Sequence, residues 1–228
     1  MTEIFINIFN IVLYKPLFSI LILIYQYVPG QDFGIAVIIL TLFIRLLLYP
    51  SSLQSIKSQK ALSEIQPKIQ EIQRKYKENR EKMAKEVMEL YKKEKINPLA
   101  GFLPLLVQLP VLIALFLVFK SFENGLNING EIATPFLLGV INLTTSSLFL
   151  AVLAGTAQFF QTKMLTSQAK QPQKKPNDFA QMFQKQMTYL FPIFTVFICW
   201  KLPAAIALYW LTTSLFSIGQ QHIALKKS

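Results

Sequence analysis

Cys199 is the sole cysteine of this 228-residue chain, and His222 is its sole histidine. One thiol makes no disulfide framework, and one of each cannot build a Cys/His metal cage. Cys199 lies in an apolar run and reads as a small buried hydrophobe. No Gly-rich phosphate loop and no metal-ligand spacing occurs, so no cofactor is expected. Inside the apolar segments no serine has a histidine partner and no aspartates are paired, which removes the groups an intramembrane protease needs. Acidic residues are absent from 98–122, 135–163, 183–200 and 203–223. Basic residues are missing ahead of the first apolar run, where Met1–Tyr14 carries only Glu3 and no cysteine. A cleavable signal peptide or a lipoprotein anchor is therefore not expected.

What is present is apolar. Hydrophobic residues make up 53% of the chain, with 19 Phe, and the mean hydropathy is +0.41. That composition belongs to a membrane protein. The fold class expected is an all-α integral membrane protein. Five segments can cross a bilayer as helices: Phe33–Ser55, Pro98–Phe122, Pro135–Lys163, Phe183–Trp200 and Pro203–Ile223. Residues 1–31 form a separate N-terminal part, and 32–228 form the membrane core. Phe5–Tyr27 is apolar too, but Lys15-Pro16 is expected to interrupt it and Pro29-Gly30 to end it. The piece from Pro16 to Val28 is too short to span. A helix lying in the interface plane is favoured there over a sixth span.

The net charge of +11 could signal nucleic acid, but its placement argues otherwise. Nineteen of the 23 basic residues fall in 51–97, 163–185 and the C-terminal tail. By the positive-inside rule those parts are cytoplasmic, and an odd number of spans puts the N-terminus outside. The first loop, 56–97, carries two apolar stripes: Ile65, Ile69, Ile72 and Tyr76, then Met83, Val87 and Leu90. It is expected to fold as a helical hairpin turning at Asn79, with a bend near Pro67. The second loop, 164–182, contains the Pro- and Lys-rich stretch 169–178, which is expected to be unstructured.

Arg45 stands inside the first apolar segment. At about 1.5 Å per residue it lies roughly 18 Å along the helix from Phe33. That is near or past the middle of a hydrocarbon core about 30 Å thick. A charge there costs at least about 2.5–3.5 kcal/mol and marks a functional position by default. Asp32, at the segment's edge, is too far to pair with it. Thr41, Arg45, Ser52, Ser55 and Gln59 share one helical face. Gln108 on the second segment, Asn142 to Ser147, Gln158 and Gln161 on the third, and Thr212 to Ser214 on the fifth could line a wet groove with them. Single hydroxyls in membrane helices more often bond neighbouring backbone. A channel or transporter for a small solute remains an alternative, although no inverted repeat is visible. A purely structural assembly factor is a third reading.

Four motifs occur in order: ILTLFIRLLLYP (39–50), IQPKIQEIQRKYK (65–77), LYKKEKINPLAGFLPLLVQLPVLIALF (90–116) and LPAAIALYWLTTSLFSIGQQ (202–221). Together they resemble the YidC/Oxa/Alb family of membrane protein insertases, in its short bacterial form. The resemblance implies a five-helix core, a cytoplasmic helical hairpin and an interfacial helix on the outer surface. It also implies a hydrophilic groove holding one arginine, with Arg45 at that position. Gln158 and Trp210 resemble groove-lining positions, beside Thr41 and Ser52. The implied activity is insertion and folding of integral membrane proteins in the bacterial inner membrane. It would run alone or with the Sec translocon, with no bond made or broken. Implied partners are nascent membrane-protein clients and the lipid bilayer, together with the ribosome and the signal recognition particle system. Stable ribosome docking is not expected, because the sequence after Gln221 lacks a long basic tail, and no direct nucleic-acid contact is expected.

Overall fold

The computed structural model describes residues 2–97, 103–123, 125, 127–128, 131–166 and 179–226, and these are mostly helical. Helix α1 (Thr2–Phe9) passes through a π-turn at Asn10–Tyr14 into α2 (Lys15–Tyr27). The break expected at Lys15-Pro16 is absent. Proline lacks an N–H, and its ring collides with the carbonyl four residues back, here that of Val12. The wider π-turn, in which the Lys15 N–H bonds to the Asn10 carbonyl, opens the backbone where the ring needs room. Ile6–Tyr27 is consequently a 22-residue helix, apolar and long enough to cross a bilayer by length and composition. It ends where expected, at Pro29-Gly30, with Gly30 at φ +72°.

Helix α3 (Phe33–Leu47) and α4 (Tyr49–Lys75) replace the single segment expected over Phe33–Ser55. They meet at Leu48 with a bend of 66°. Pro50, in the first turn of α4, forces the break, since a straight helix would need its N–H to bond the Leu46 carbonyl. At Pro67, where a bend is expected, α4 continues without a break. Ile65 and Ile69, buried on either side of it, hold α4 together through the proline. Helix α5 (Arg80–Lys93) returns along α4, and its first turn is capped by the Asn79 side chain, which accepts from the Lys82 N–H at 2.9 Å. A salt bridge from Lys68 to Glu94 at 2.6 Å ties the hairpin's open end. The hydrogen bond from Lys68, and then its charge, hold the Glu94 carboxyl below the usual range. This tie persists at neutral pH and is lost only as pH falls through that lowered value.

Helix α6 (Leu103–Lys120) leads to two small antiparallel hairpins: β1 (Asn127–Ile128) with β2 (Glu131–Ile132), and β3 (Phe136–Leu137) with β4 (Ile141–Asn142). The expected third segment therefore starts late, with α7 at Leu148 (Leu148–Thr166). Residues 135–147 are not helical because local bonds compete with a helix. Gly139 takes φ +69° in the hairpin turn. The Asn142 side chain accepts from both the N–H and the hydroxyl of Thr144, and Ser147 caps α7 by accepting from the Leu150 N–H. Helices α8 (Phe179–Lys201) and α9 (Ala204–Lys226) complete the fold. The Pro- and Lys-rich stretch 169–178 lies outside the described residues.

The core is aromatic at one end and elsewhere mixes Leu, Ile and Val with many alanines. Phe33, Phe119 and Phe122 are each 1% exposed, and the Phe33 and Phe122 rings lie 4.5 Å apart. Tyr25 packs edge-on against Phe33 and Phe18 lies tilted against Phe122, each at 6.3 Å between ring centroids. Asp32 fastens this end. It caps α3 by accepting from the Ile35 N–H at 2.8 Å, and it accepts from the Leu138 N–H of the β3–β4 turn. The first N–H groups of α9 are satisfied by the same loop, Ala204 bonding Thr145 O and Ala205 bonding Leu143 O. Cys199 is fully buried, as its apolar setting predicts.

Between α7 and α8 the backbones approach closely, as helices in lipid do where side chains are small. A Cβ on Gly155 would meet the Val196 side chain and the Pro192 carbonyl. Gly155→Leu is expected to destabilise the fold by about 1–3 kcal/mol. A lowered thermal unfolding midpoint in detergent checks this, and an unchanged midpoint would refute the close packing.

Candidate functional site

The bend at Leu48 places Arg45 in the last turn of α3, where the helix dipole is negative and carbonyls are freed. A cation is favoured there without any carboxylate. Among the described residues none reaches it; Asp32 is spent as a cap. Arg45 instead donates from Nη2 to Gln108 Oε1 at 3.0 Å and from Nε to Thr213 Oγ1 at 3.4 Å. Gln108 in turn donates from Nε2 to the Tyr209 hydroxyl. Hydrogen bonds to a charged group contribute about 1.5–3 kcal/mol each, comparable with the insertion penalty of about 2.5–3.5 kcal/mol. The arginine is therefore held without ion pairing, which leaves its charge uncompensated.

Around it lies a cavity of about 280 Å³. Helices α3 and α4 line it with Arg45, Ser52, Ser55 and Gln59. Gln108 of α6 and Gln158 and Gln161 of α7 add to its wall, and α9 contributes Trp210, Thr213, Ser217 and Gln221. Ser52 donates to Gln220 Oε1 at 2.8 Å. This contact and Arg45–Thr213 each join residues 168 apart, so the α3–α4 chain and α9 run side by side in the same direction. Gln158 Oε1 accepts from Trp210 Nε1 at 2.9 Å and from Ser214 Oγ at 3.2 Å, tying α7 to α9. The Oε1 atoms of Gln161 and Gln221 are buried without a protein partner. Buried polar atoms in a roomy polar site are positions for ordered water.

Of the residues singled out in the sequence, Arg45, Ser52, Gln158 and Trp210 come together on this cavity. Thr41 does not. It is 1% exposed, and its hydroxyl donates to the Val37 carbonyl at 2.6 Å. It shares Arg45's face but sits one turn farther toward the aromatic end, beyond the cavity floor. The cluster from Asn142 to Ser147 belongs to the loop before α7 and lies elsewhere. Thr212 turns back to the Leu208 carbonyl. Tyr209, Ser217, Gln220 and Gln221 were missed, although Trp210, Thr213, Ser217 and Gln221 follow a 3-4-4 spacing that marks one helical face.

The sequence pattern of the family described as 60Kd inner membrane protein matches residues 23–228. The chain belongs to that family. It is 37% identical over 198 residues to a protein of Fusobacterium nucleatum named Membrane protein insertase YidC, covering 86% of this chain and 87% of that one. A protein of the same name from Oceanobacillus iheyensis is 38% identical over 195 residues, 84% of this chain and 73% of its own. In Endomicrobium trichonymphae the similar protein, again so named, is longer: 33% identity over 223 residues spans 93% of this chain but 39% of that one. Membership of the 60Kd family makes the chain a mostly helical, multi-pass inner membrane protein, and not an enzyme.

Proposed function

We propose that this protein inserts membrane proteins by admitting polar client segments to the cavity around Arg45. Insertase function is what the 60Kd family and its YidC relatives carry. The route through this cavity is our reading. The observation that carries it is Arg45: a cation without a carboxylate, in a cavity where the oxygens of Gln161 and Gln221 lack partners. A polar client tail meets hydrogen-bonding walls there rather than hydrocarbon, where each unpaired polar group costs several kcal/mol. The aromatic cluster at Phe33 closes one end. About 18 Å of α3 separates Phe33 from Arg45, so a cavity open at the other end replaces roughly 12 Å of the ~30 Å core. A client's apolar helix then supplies the drive. About 20 residues contributing roughly 0.3–0.6 kcal/mol each outweigh one or two acidic residues at about 2.5–3.5 kcal/mol.

The arrangement that fits this reading has five spans: α3 with the start of α4, then α6, α7, α8 and α9. Residues 1–31 form the N-terminal part, 56–97 the cytoplasmic hairpin and 164–182 a second cytoplasmic loop. The basic segments face the cytoplasm and the N-terminus faces out. Tyr25 and Phe18 pack at the Phe33–Phe122 end, which supports α2 lying across the outer surface rather than spanning. Nascent membrane proteins are the clients. Cooperation with the Sec translocon, the ribosome or the signal recognition particle system remains part of the proposal.

Accessibility tests the cavity. Cys199, the native thiol, is buried and serves as a silent background. Arg45→Cys and Ser52→Cys should each react with a membrane-impermeant thiol reagent from the cytoplasmic side only. Labelling from outside, or none from either side, would sink the model. Depletion separates an insertase from a solute transporter, since the first strands membrane proteins and the second alters one solute.

A further inference from the structure

The turn between β3 and β4 leaves apolar side chains uncovered at the end of the fold that Asp32 fastens. Leu138 stands 70% exposed and Val140 80%, with Phe136 of β3 beside them at 36%. No charged residue occurs from Ile132 to Thr162. Turns that face water are dominated by Gly, Pro, Asn, Asp and Ser. Leu138 departs from that rule twice. It takes φ +51°, next to Gly139 at +69°, in a left-handed pair for which Asn-Gly is favoured. Its Cβ disfavours that conformation, and its side chain then stands outside the protein.

The backbone around this turn is bonded within the protein. The Leu138 N–H donates to Asp32 Oδ2, and the Val140 N–H donates to the Leu137 carbonyl at 3.0 Å. Those of Phe136 and Leu143 donate to the Thr134 and Pro135 carbonyls at 2.8 Å each. That of Thr144 donates to the Asn142 side chain at 2.9 Å. A turn in water can leave such donors to solvent, whereas donors that enter lipid must be satisfied internally. A Cβ on Gly34 would meet the Leu137 backbone, so the hairpin is seated directly on the first turn of α3. Its height is that of an interface. The Thr145 and Leu143 carbonyls accept from Ala204 and Ala205, just after Trp200 and Lys201, whose ammonium lies 4.7 Å from the Trp200 ring centroid. Tryptophan and a basic residue at a helix end are anchors at the lipid–water boundary. Three side chains are too few for a stable protein interface, which takes about 20–30 residues a side. We infer that the β3–β4 turn is a lipid anchor, with Leu138 and Val140 inserted at the headgroup–acyl boundary of the outer leaflet, holding the hairpin over the Phe33 end of the fold. That this leaflet is the outer one rests on the orientation proposed above.

Spin labels on the full-length protein in phosphatidylglycerol–phosphatidylcholine liposomes test the depth. A nitroxide on Val140→Cys is compared with one on Glu81→Cys, exposed on α5, and one on Ile193→Cys, 66% exposed on α8. Cys199 is buried and stays unlabelled. Oxygen concentrates in lipid and a nickel chelate in water, so the ratio of their collision rates reads depth from either face of the membrane. The ratio at 140 should exceed that at 81 several-fold and fall below that at 193, a depth of about 5–10 Å. A ratio equal to that at 81 would overturn the anchor. So would weak collision with both reagents, the mark of a protein or a second copy covering the turn. Leu138→Asn and Leu138→Gly both suit the left-handed position. Each should keep the thermal unfolding midpoint in detergent and bring the ratio at 140 down toward that at 81. An unchanged ratio in both would show that the fold alone sets the depth, and would overturn the anchoring role of Leu138.

Discussion

Arg45→Ala is expected to reduce insertion of a client with an acidic outer tail by about 10- to 100-fold, the equivalent of one charge-assisted hydrogen bond at about 1.5–3 kcal/mol. In a low-dielectric cavity an entering carboxylate is drawn to a fixed cation far more strongly than in bulk water. The loss should therefore grow along a tail series carrying zero, one and two Asp residues, and be smallest for the neutral tail. Arg45→Glu should fail most completely, since it meets an acidic tail with like charge. Arg45→Lys is the informative case. It keeps the charge, but lysine lacks the planar fork that reaches Gln108 and Thr213 at once. Those two contacts hold α3 against α6 and α9, so the lysine protein should fall between Arg and Ala. Protease protection of the tail in reconstituted liposomes gives each number. Equal insertion of all tails by the Arg45→Ala protein would make Arg45 a structural residue bridging three helices.

Removing the hairpin should also abolish most insertion. Deletion of Ser63–Lys92 takes out the far half of α4 and nearly all of α5, while the start of α4, with Ser52, Ser55 and Gln59, stays in the cavity wall. The hairpin is lightly fastened to itself. Its Lys68–Glu94 pair stands in solvent, where screening and side-chain entropy leave an ion pair little net stabilisation. Tyr76 adds one hydrogen bond to Glu86 at 3.3 Å. The amide nitrogen of Gln70, on a residue 2% exposed, has no partner. These features suit a surface that receives a client or a targeting factor better than a rigid brace. The shortened protein should keep the thermal unfolding of its membrane core in detergent and lose protease protection of client tails. Full insertion by the shortened protein would reduce the hairpin to a spacer.

Much of this was legible in the residues. Arg45 stands out because apolar neighbours make any charge costly. The hairpin could be read from the period of Ile65, Ile69 and Ile72, and its turn from Asn79, which caps α5. Segment boundaries were less legible, because they depend on competition. At Lys15-Pro16 proline argues for a break, yet a π-turn absorbs it. At Asn142 to Ser147 polar side chains sit in an apolar stretch, and local hydrogen bonds win over helix. Pro67 is tolerated in the middle of α4, while Pro50 bends the chain by 66° with its neighbours.

The sequence by itself determined that the chain lives in a membrane, that most of its basic residues cluster in two loops and a tail, that one arginine stands among apolar residues without a carboxylate, and that four ordered motifs place it in the insertase family. These follow from composition and order alone. Only the tertiary structure decided which polar residues meet that arginine. Thr41 and Ser52 look alike on a helical wheel. The bend at Leu48 and the parallel course of α9 put Ser52 against Gln220 in the cavity and leave Thr41 packed below its floor. A period assigns residues to a face. Which part of that face is hollow depends on the side chains brought across from distant helices, and it is Gln108 and Thr213, 63 and 168 residues away, that hold the charge in place.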